Sequence, residues 1–152
     1  MSNHLEILIS IPPLLQINAG RKDQAQHLLP NVPEIEQIKP SLFTRLTLRK
    51  DMKPLDLRAC LILPDGKFII TDHNKKQLLL FSNDGFFIRK VVTITGYPYD
   101  ACFVRNNTVA VTLELTYQTT MVDIVKNKNI QTIKLSHYCY GVASDCKTLV
   151  VS

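Results

Sequence analysis

Glycine is scarce in this sequence, five residues in 152, and that shortage removes several functions at once. There is no P-loop and no G-x-G-x-x-G turn, so no loop is built to cradle phosphates on backbone N–H groups. G-x-S-x-G and H-E-x-x-H are missing too, which leaves no nucleophile elbow and no metalloprotease helix. The four cysteines, Cys60, Cys102, Cys139 and Cys146, include no C-x-x-C, so a RING, treble-clef or zinc-ribbon site has no ligand pattern. His137-x-Cys139 is the one close His/Cys pair. Alternation along a strand would put both on one face, but two ligands do not make a zinc site. Carboxylates do not cluster: Asp72, Asp100, Glu114 and Asp145 fall singly at strand ends or turns, where such residues commonly shape the turn. Long apolar runs are absent as well. The segment LEILISIPPLLQI, 5–17, is broken by Glu6 and Pro12-Pro13 and follows no Lys or Arg, so it is neither a signal peptide nor a membrane anchor but at most a short strand. The expectation is a non-enzyme with no metal, no cofactor and no membrane segment.

What is present is ordinary for a globular chain: 45% hydrophobic and 20% charged residues. The net charge of +5 and pI near 9.1 permit an anionic partner without requiring one, and the positive charges are scattered. Cys60 and Cys102 sit inside apolar runs, where a free thiol acts as a small hydrophobe. The thiols therefore read as reduced and the chain as cytoplasmic. Residues 1–41 hold five of the eight prolines around the polar text AGRKDQAQH. They read as an irregular lead-in or linker with room for one short strand.

After Pro40 the texture changes to short apolar runs between turn residues. ACLIL is followed by Pro64-Asp65-Gly66, then KFIITD; QLLLF is followed by Asn83-Asp84-Gly85, then FFIRKVV. Asp-Gly between apolar runs is a strong hairpin signal, and runs this short are strands. The unit recurs. ACFV, Asn106-Asn107 and TVAVT lead to QTTMV and IQTIKL, and a third copy starts with GVAS, Asp145-Cys146 and TLVVS. Thr71, Thr112 and Ser152 close the second strand of each copy, 41 and 40 residues apart. Four strands at a period near 40 signal a β-propeller, whose blades bury their faces by stacking round an axis. Small residues, Ala59-Cys60, Ala101-Cys102 and Gly141-Val142-Ala143, fall where the innermost strands crowd that axis. The fold class is thus all-β, a partial propeller of about two and a half four-stranded antiparallel blades behind an irregular N-terminal segment. Its parts are an outer strand at 42–50, blades at 57–92 and 99–135, and a partial blade at 140–152. A six-bladed ring would need roughly 250 residues at this period. The expectation is a truncated product or a ring completed by a second chain.

With those residues in view, the chain resembles the NHL-type repeats of TRIM-like proteins, especially the expanded families of bivalve molluscs. LPDGKFIITDHNKKQLLLFSNDGFFIRKV, 63–91, and YPYDACFVRNNTVAVT, 97–112, carry the resemblance, which extends over about 22–152. Asp65-Gly66, Asp72, Phe81 and Asp84-Gly85 keep the repeat pattern. Lys75, Lys76 and Gln77 depart from its Asn-His-Arg segment, so the usual Asp–Arg pairing inside the blade is not expected. The resemblance implies the recognition half of a ubiquitin-ligase family, without the RING and B-boxes that members carry upstream.

In a meander, the loop before each inner strand shares a face with the loop between strands two and three. That face is expected to carry Lys53, Arg58, His73, Lys75, Lys76, Tyr97, Tyr99, Tyr117, His137, Tyr138 and Tyr140, among them all five tyrosines. Tyrosines mixed with basic groups suit protein hot spots. They also suit base stacking on a charged surface. The competing expectation is that the rings pack between blades and the lysines are merely solvated. The sequence therefore points to a non-catalytic protein-interaction module, with RNA binding by the same face as the alternative. A metal-dependent propeller hydrolase or lyase is more remote. The unpaired blade edge near Val150 offers self-association as a further partner route.

Overall fold

The computed structural model describes residues 4–11 and 39–152. The proline-rich text between these segments, the bulk of the expected lead-in, lies outside the described residues. The chain forms two complete four-stranded antiparallel sheets flanked by two strand pairs. One pair joins β1 (His4–Ile11) to β2 (Lys39–Thr47). The first complete sheet is a meander of β3 (Leu57–Ile62), β4 (Phe68–Asp72), β5 (Gln77–Phe81) and β6 (Phe87–Thr93). The second repeats it with β7 (Tyr97–Arg105), β8 (Thr108–Glu114), β9 (Gln118–Asp123) and β10 (Lys128–Lys134). β11 (Val142–Ser144) and β12 (Leu149–Val151) form the last pair. The two complete sheets span Leu57–Thr93 and Tyr97–Lys134, and the last pair Val142–Val151. The outer strand begins at Lys39, not 42, and the short strand allowed within 1–41 is β1, hydrogen-bonded along the whole of β2.

Why the sequence turns where it does is visible in the backbone. Gly66 and Gly85 sit at φ +84° and +85° in the β3–β4 and β5–β6 turns, where an L side chain is strained. The second blade uses Asn106 and Asn127 at φ +53° instead, the residue type that tolerates this region best after glycine. Aspartates fasten other turns: Asp123 Oδ1 accepts the N–H groups of Val125 and Lys126, and Asp145 Oδ1 those of Lys147 and Thr148. Asp72, fully buried, accepts the Lys75 N–H and Gln77 Nε2–H at 3.4 and 3.2 Å. Gln77 thus holds Asp72 across the β4–β5 turn.

Stacking buries the blades face to face. Ile69, Leu78, Leu80 and Val91 of the first blade meet Val109, Val111, Leu113 and Val122 of the second in one core. On the other side of the first blade, Phe68, Ile70, Leu79 and Phe81 pack with Leu46 and Met52. Period-2 alternation sends neighbours of β4 and β5 into opposite cores, so both strands are almost wholly buried. Each such aliphatic side chain contributes about 1.5–3 kcal/mol on burial. Arg89 on β6 clamps the blades together at the outside, donating to Ile124 O (2.6 Å) and Asn127 Oδ1 (3.1 Å). The inner strands lie side by side in the order β3, β7, β11. Cys60 is nevertheless exposed and Cys102 half-buried. The small residues expected to crowd the axis border open space, because among the described residues no blade faces them across it.

Candidate functional site

The rim is built by equivalent backbone moves in the two blades. Lys76 and Tyr117, one repeat apart, both adopt left-handed φ values, +49° and +53°. The Lys76 carbonyl accepts the Ile94 N–H, and the Tyr117 carbonyl the Leu135 N–H, both at 2.7 Å. Each β-turn between strands two and three is thereby tied to the segment leading into the next inner strand. The His73 N–H donates to Asp56 O at 2.8 Å in the same way. These ties bring the two sets of loops to one edge of the sheets, as the meander predicts.

Two groups of side chains occupy this rim. The first centres on His73, whose side chain is 12% exposed. Its Nε2 lies 2.6 Å from Glu114 Oε2 of the neighbouring blade. Its Nδ1 stands 3.3 Å from Asp56 Oδ2, in a direction too poor for a hydrogen bond, so this buried nitrogen has no hydrogen-bond partner. The ring also rests against Tyr97, centroids 5.0 Å apart, and Lys76 Nζ sits 4.1 Å above the Tyr97 ring. Asp56 is shared, holding Arg58 Nε at 3.3 Å. Lys75 Nζ donates to Asp51 O.

The second group is a row of tyrosines. The Arg58 guanidinium lies 5.9 Å from the Tyr99 ring. Tyr99 meets Tyr140 edge to face at 5.3 Å, Tyr140 lies 6.3 Å from Tyr138, and Tyr138 stacks on Tyr117 at 4.3 Å. The adjoining Tyr138 hydroxyl above all, with some desolvation, holds the Tyr117 phenol above its ordinary pKa. The segment carrying Tyr138 and Tyr140 is pinned from beneath by Cys139, which is buried. The Cys139 thiol donates to Gln118 O at 3.3 Å and lies 3.6 Å from Thr119 Oγ1. Asp100 adds an inter-blade strut, accepting the Val142 N–H at 3.0 Å.

Most of the predicted face is therefore contiguous. His73, Lys76 and Tyr97 form one group; Arg58, Tyr99, Tyr117, Tyr138 and Tyr140 form the other; Lys75 borders the first. Lys53 is exposed on the segment before β3, and His137 is exposed with Nδ1 3.2 Å from Ser136 Oγ. The shared face expected for His137 and Cys139 is not formed. Residues 136–141 are not a strand, and Cys139 turns inward while His137 stays out. Asp56 and Glu114 escaped sequence reasoning as members of the rim. Their signal was positional: Glu114 lies one repeat beyond His73, so the two occupy equivalent places in adjacent blades.

No protein-family model matches this chain, and a search of curated proteins finds no match. Among solved structures, apo AztD from Citrobacter koseri, a β-propeller-like protein, is similar at 13% identity and a TM-score of 0.50. The likeness covers 69% of this chain and 28% of that one, so the chain spans little more than a quarter of its neighbour's length. At this identity it shows the fold alone: an all-β, partial propeller of four-stranded antiparallel blades.

Proposed function

We propose that the chain is a non-catalytic recognition module that binds a protein partner through the tyrosine-rich rim. The observation that carries this reading is how the rim's rings are used. Tyr117 and Tyr138 stack on each other, Lys76 covers Tyr97 and Arg58 approaches Tyr99. Tyr117, Tyr138 and Tyr97 each have one face occupied by these contacts, which leaves less ring face for stacking a nucleobase, while ring edges and hydroxyls remain to a partner. The charges are mixed, with Asp56 and Glu114 among the basic groups, which suits a protein surface better than a polyphosphate. His73 Nε2 meets Glu114 of the neighbouring blade at 2.6 Å, so His73 reads as a bolt between blades. Within this reading, the similarity of 63–91 to NHL repeats supports a finer assignment. The module would select substrates for a TRIM-like ubiquitin-ligase assembly in the cytoplasm, with the RING activity supplied elsewhere.

The test places a photo-crosslinking phenylalanine derivative at Tyr97, at Tyr138 or, on the opposite edge, at Asn106. Discrete, ribonuclease-resistant adducts from the first two positions and none from Asn106 are expected. Those adducts should fall at least about tenfold when Arg58→Glu and Tyr140→Ala are added, in line with hot-spot losses of ~2 kcal/mol or more. Equal adducts from all three positions would remove the rim from the reading. Ribonuclease-sensitive adducts, with binding of a labelled oligouridylate that weakens steeply with salt, would replace the protein partner by RNA.

A further inference from the structure

Two of the rim's tyrosines are held together from both sides by backbone ties. Tyr117 lies in the turn between β8 and β9 at a left-handed φ of +53°, and its carbonyl accepts the Leu135 N–H at 2.7 Å. A bulky residue at such a φ persists only where its surroundings hold it, and the Leu135 bond does so here. Tyr138 comes from the segment between β10 and β11, whose buried Cys139 donates its thiol to Gln118 O at 3.3 Å. These two bonds join residues 117–118 to residues 135 and 139. They flank the pair and set its two backbone segments against each other.

Between these ties the two rings stack, with centroids 4.3 Å apart and planes 23° from parallel. Their hydroxyl groups adjoin, so the rings lie head to head, and the ortho carbons beside each hydroxyl come together as well. Both residues reach the surface, 41% and 43% exposed. Among the described residues no other tyrosine pair is placed this way. Tyr99 meets Tyr140 at 5.3 Å and 72°, which turns the edge of one ring onto the face of the other. Tyr138 and Tyr140 are 6.3 Å apart, and Tyr97 has His73 and Lys76 for neighbours. The chain has no tryptophan, so no indole competes with these phenols for an oxidising equivalent.

We propose that Tyr117 and Tyr138 form an oxidative cross-linking site, which a one-electron oxidant converts to dityrosine within one chain. The oxidant is a haem peroxidase acting with hydrogen peroxide. Each phenol gives up one electron to the peroxidase and one proton to water. The two tyrosyl radicals join by one carbon–carbon bond between their ortho carbons. The hydrogens on those carbons then move to the oxygens as the rings regain aromaticity. The pair has lost two electrons and two protons, and one hydrogen peroxide is reduced to two waters. Proximity selects this partner over a tyrosine of another chain. Even loosely tethered groups meet at an effective concentration of about mM, and oriented groups at far more, against micromolar protein in solution. The product staples the β8–β9 turn to the segment before β11 with a bond that no thiol reduces, so the stacked pair is fixed in one arrangement. This site stands on ring geometry and is independent of the recognition reading of the rim.

The experiment treats a dilute solution of the 152-residue chain with a haem peroxidase and limiting hydrogen peroxide. The expected product has the mass of one chain less two hydrogen atoms and shows the blue emission of dityrosine. Trypsin cuts between the two residues at Lys126, Lys128 and Lys134, so the digest should contain one cross-linked pair of peptides, joined through Tyr117 and Tyr138. Tyr138→Phe should abolish the emission of the single-chain product, and Tyr99→Phe should leave it. Dityrosine formed mainly between chains, or mainly between Tyr99 and Tyr140, would overturn the site. So would a Tyr138→Phe protein that keeps the wild-type intramolecular yield, or peroxide consumed with no dityrosine formed.

Discussion

Thr71 and Thr112 stand out in the sequence by their spacing alone, and the structure gives that spacing a cause. In both complete blades the inner strand carries a register shift, between Leu57 and Cys60 in β3 and between Pro98 and Ala101 in β7. A bulge leaves backbone groups without ladder partners. Thr71 Oγ1 accepts the Ala59 N–H at 2.7 Å and Thr112 Oγ1 the Asp100 N–H at 3.0 Å, each inside a fully buried position. Thr112→Val keeps the shape and removes the acceptor, so it should cost ~1–3 kcal/mol, the penalty of an unsatisfied buried donor. Thr112→Ser should cost less. Urea midpoints of the two variants check this, and equal midpoints would assign the threonine to packing alone. One strand further in, Cys102 makes a second residue-scale prediction. Burial, with the Asp100 charge adding to it, pushes its thiol up to about 11. Only the thiolate alkylates. At pH 8 iodoacetamide should therefore label Cys102 in the folded chain on the order of 100-fold more slowly than an unperturbed thiol of pKa ~8.5. Its rate should keep rising with pH through that value, and a plateau near pH 9 would contradict the assignment.

At the scale of elements, the strands from β3 onward were legible because their signals are local. Asp65-Gly66 and Asn83-Asp84-Gly85 punctuate runs that alternate between two cores, and the same text returns one period later. β1 was legible only as a short apolar run. Its pairing with β2 joins segments separated by the proline-rich text, and no periodicity reports a partner that far away. Loop order in the sequence places the rim's residues at one edge of the meanders, but it carries no information on their contacts. Loop order puts His73 and Tyr97 on one edge, whereas the bond from His73 to Glu114 depends on how closely two blades approach, a tertiary distance. Gly85 marks where a local signal acquires a tertiary role. Besides its φ of +85°, a Cβ there would run into the Arg45 carbonyl oxygen, and its own carbonyl accepts the Thr47 N–H. Gly85→Ala should thus both strain the turn and push β2 off the first blade, at ~1–3 kcal/mol for the backbone strain alone. The readout is amide exchange: Thr47 should lose protection while Val109 and Val111 in β8 keep theirs. Retained protection at Thr47 would mean the turn absorbs the methyl group locally.

For the whole molecule, the question is whether blades are independent units or parts of one. A repeat protein's stability is a sum of unit and neighbour terms, and here the neighbour term is large. Neither blade has an interior of its own: Ile69, Leu78, Leu80 and Val91 are buried only because Val109, Val111, Leu113 and Val122 lie opposite. The polar ties across the same seam, His73 to Glu114 at the rim and Arg89 to Ile124 at the outside, bind the two ends of that interface. A cavity in the shared core should therefore be felt equally on both sides. Leu78→Ala, at a fully buried site, is expected to cost ~2–5 kcal/mol and to lower the exchange free energies of β4 and β8 amides by the same amount, although β8 keeps its sequence and its sheet. Phe68→Ala makes the contrasting case, because its ring lies in the core between the first blade and Leu46 and Met52. It should loosen the β2 side at least as much as β8. Loss of protection confined to β3–β6 in Leu78→Ala would show that the second blade folds on its own, and would reduce the interface to a contact between finished units.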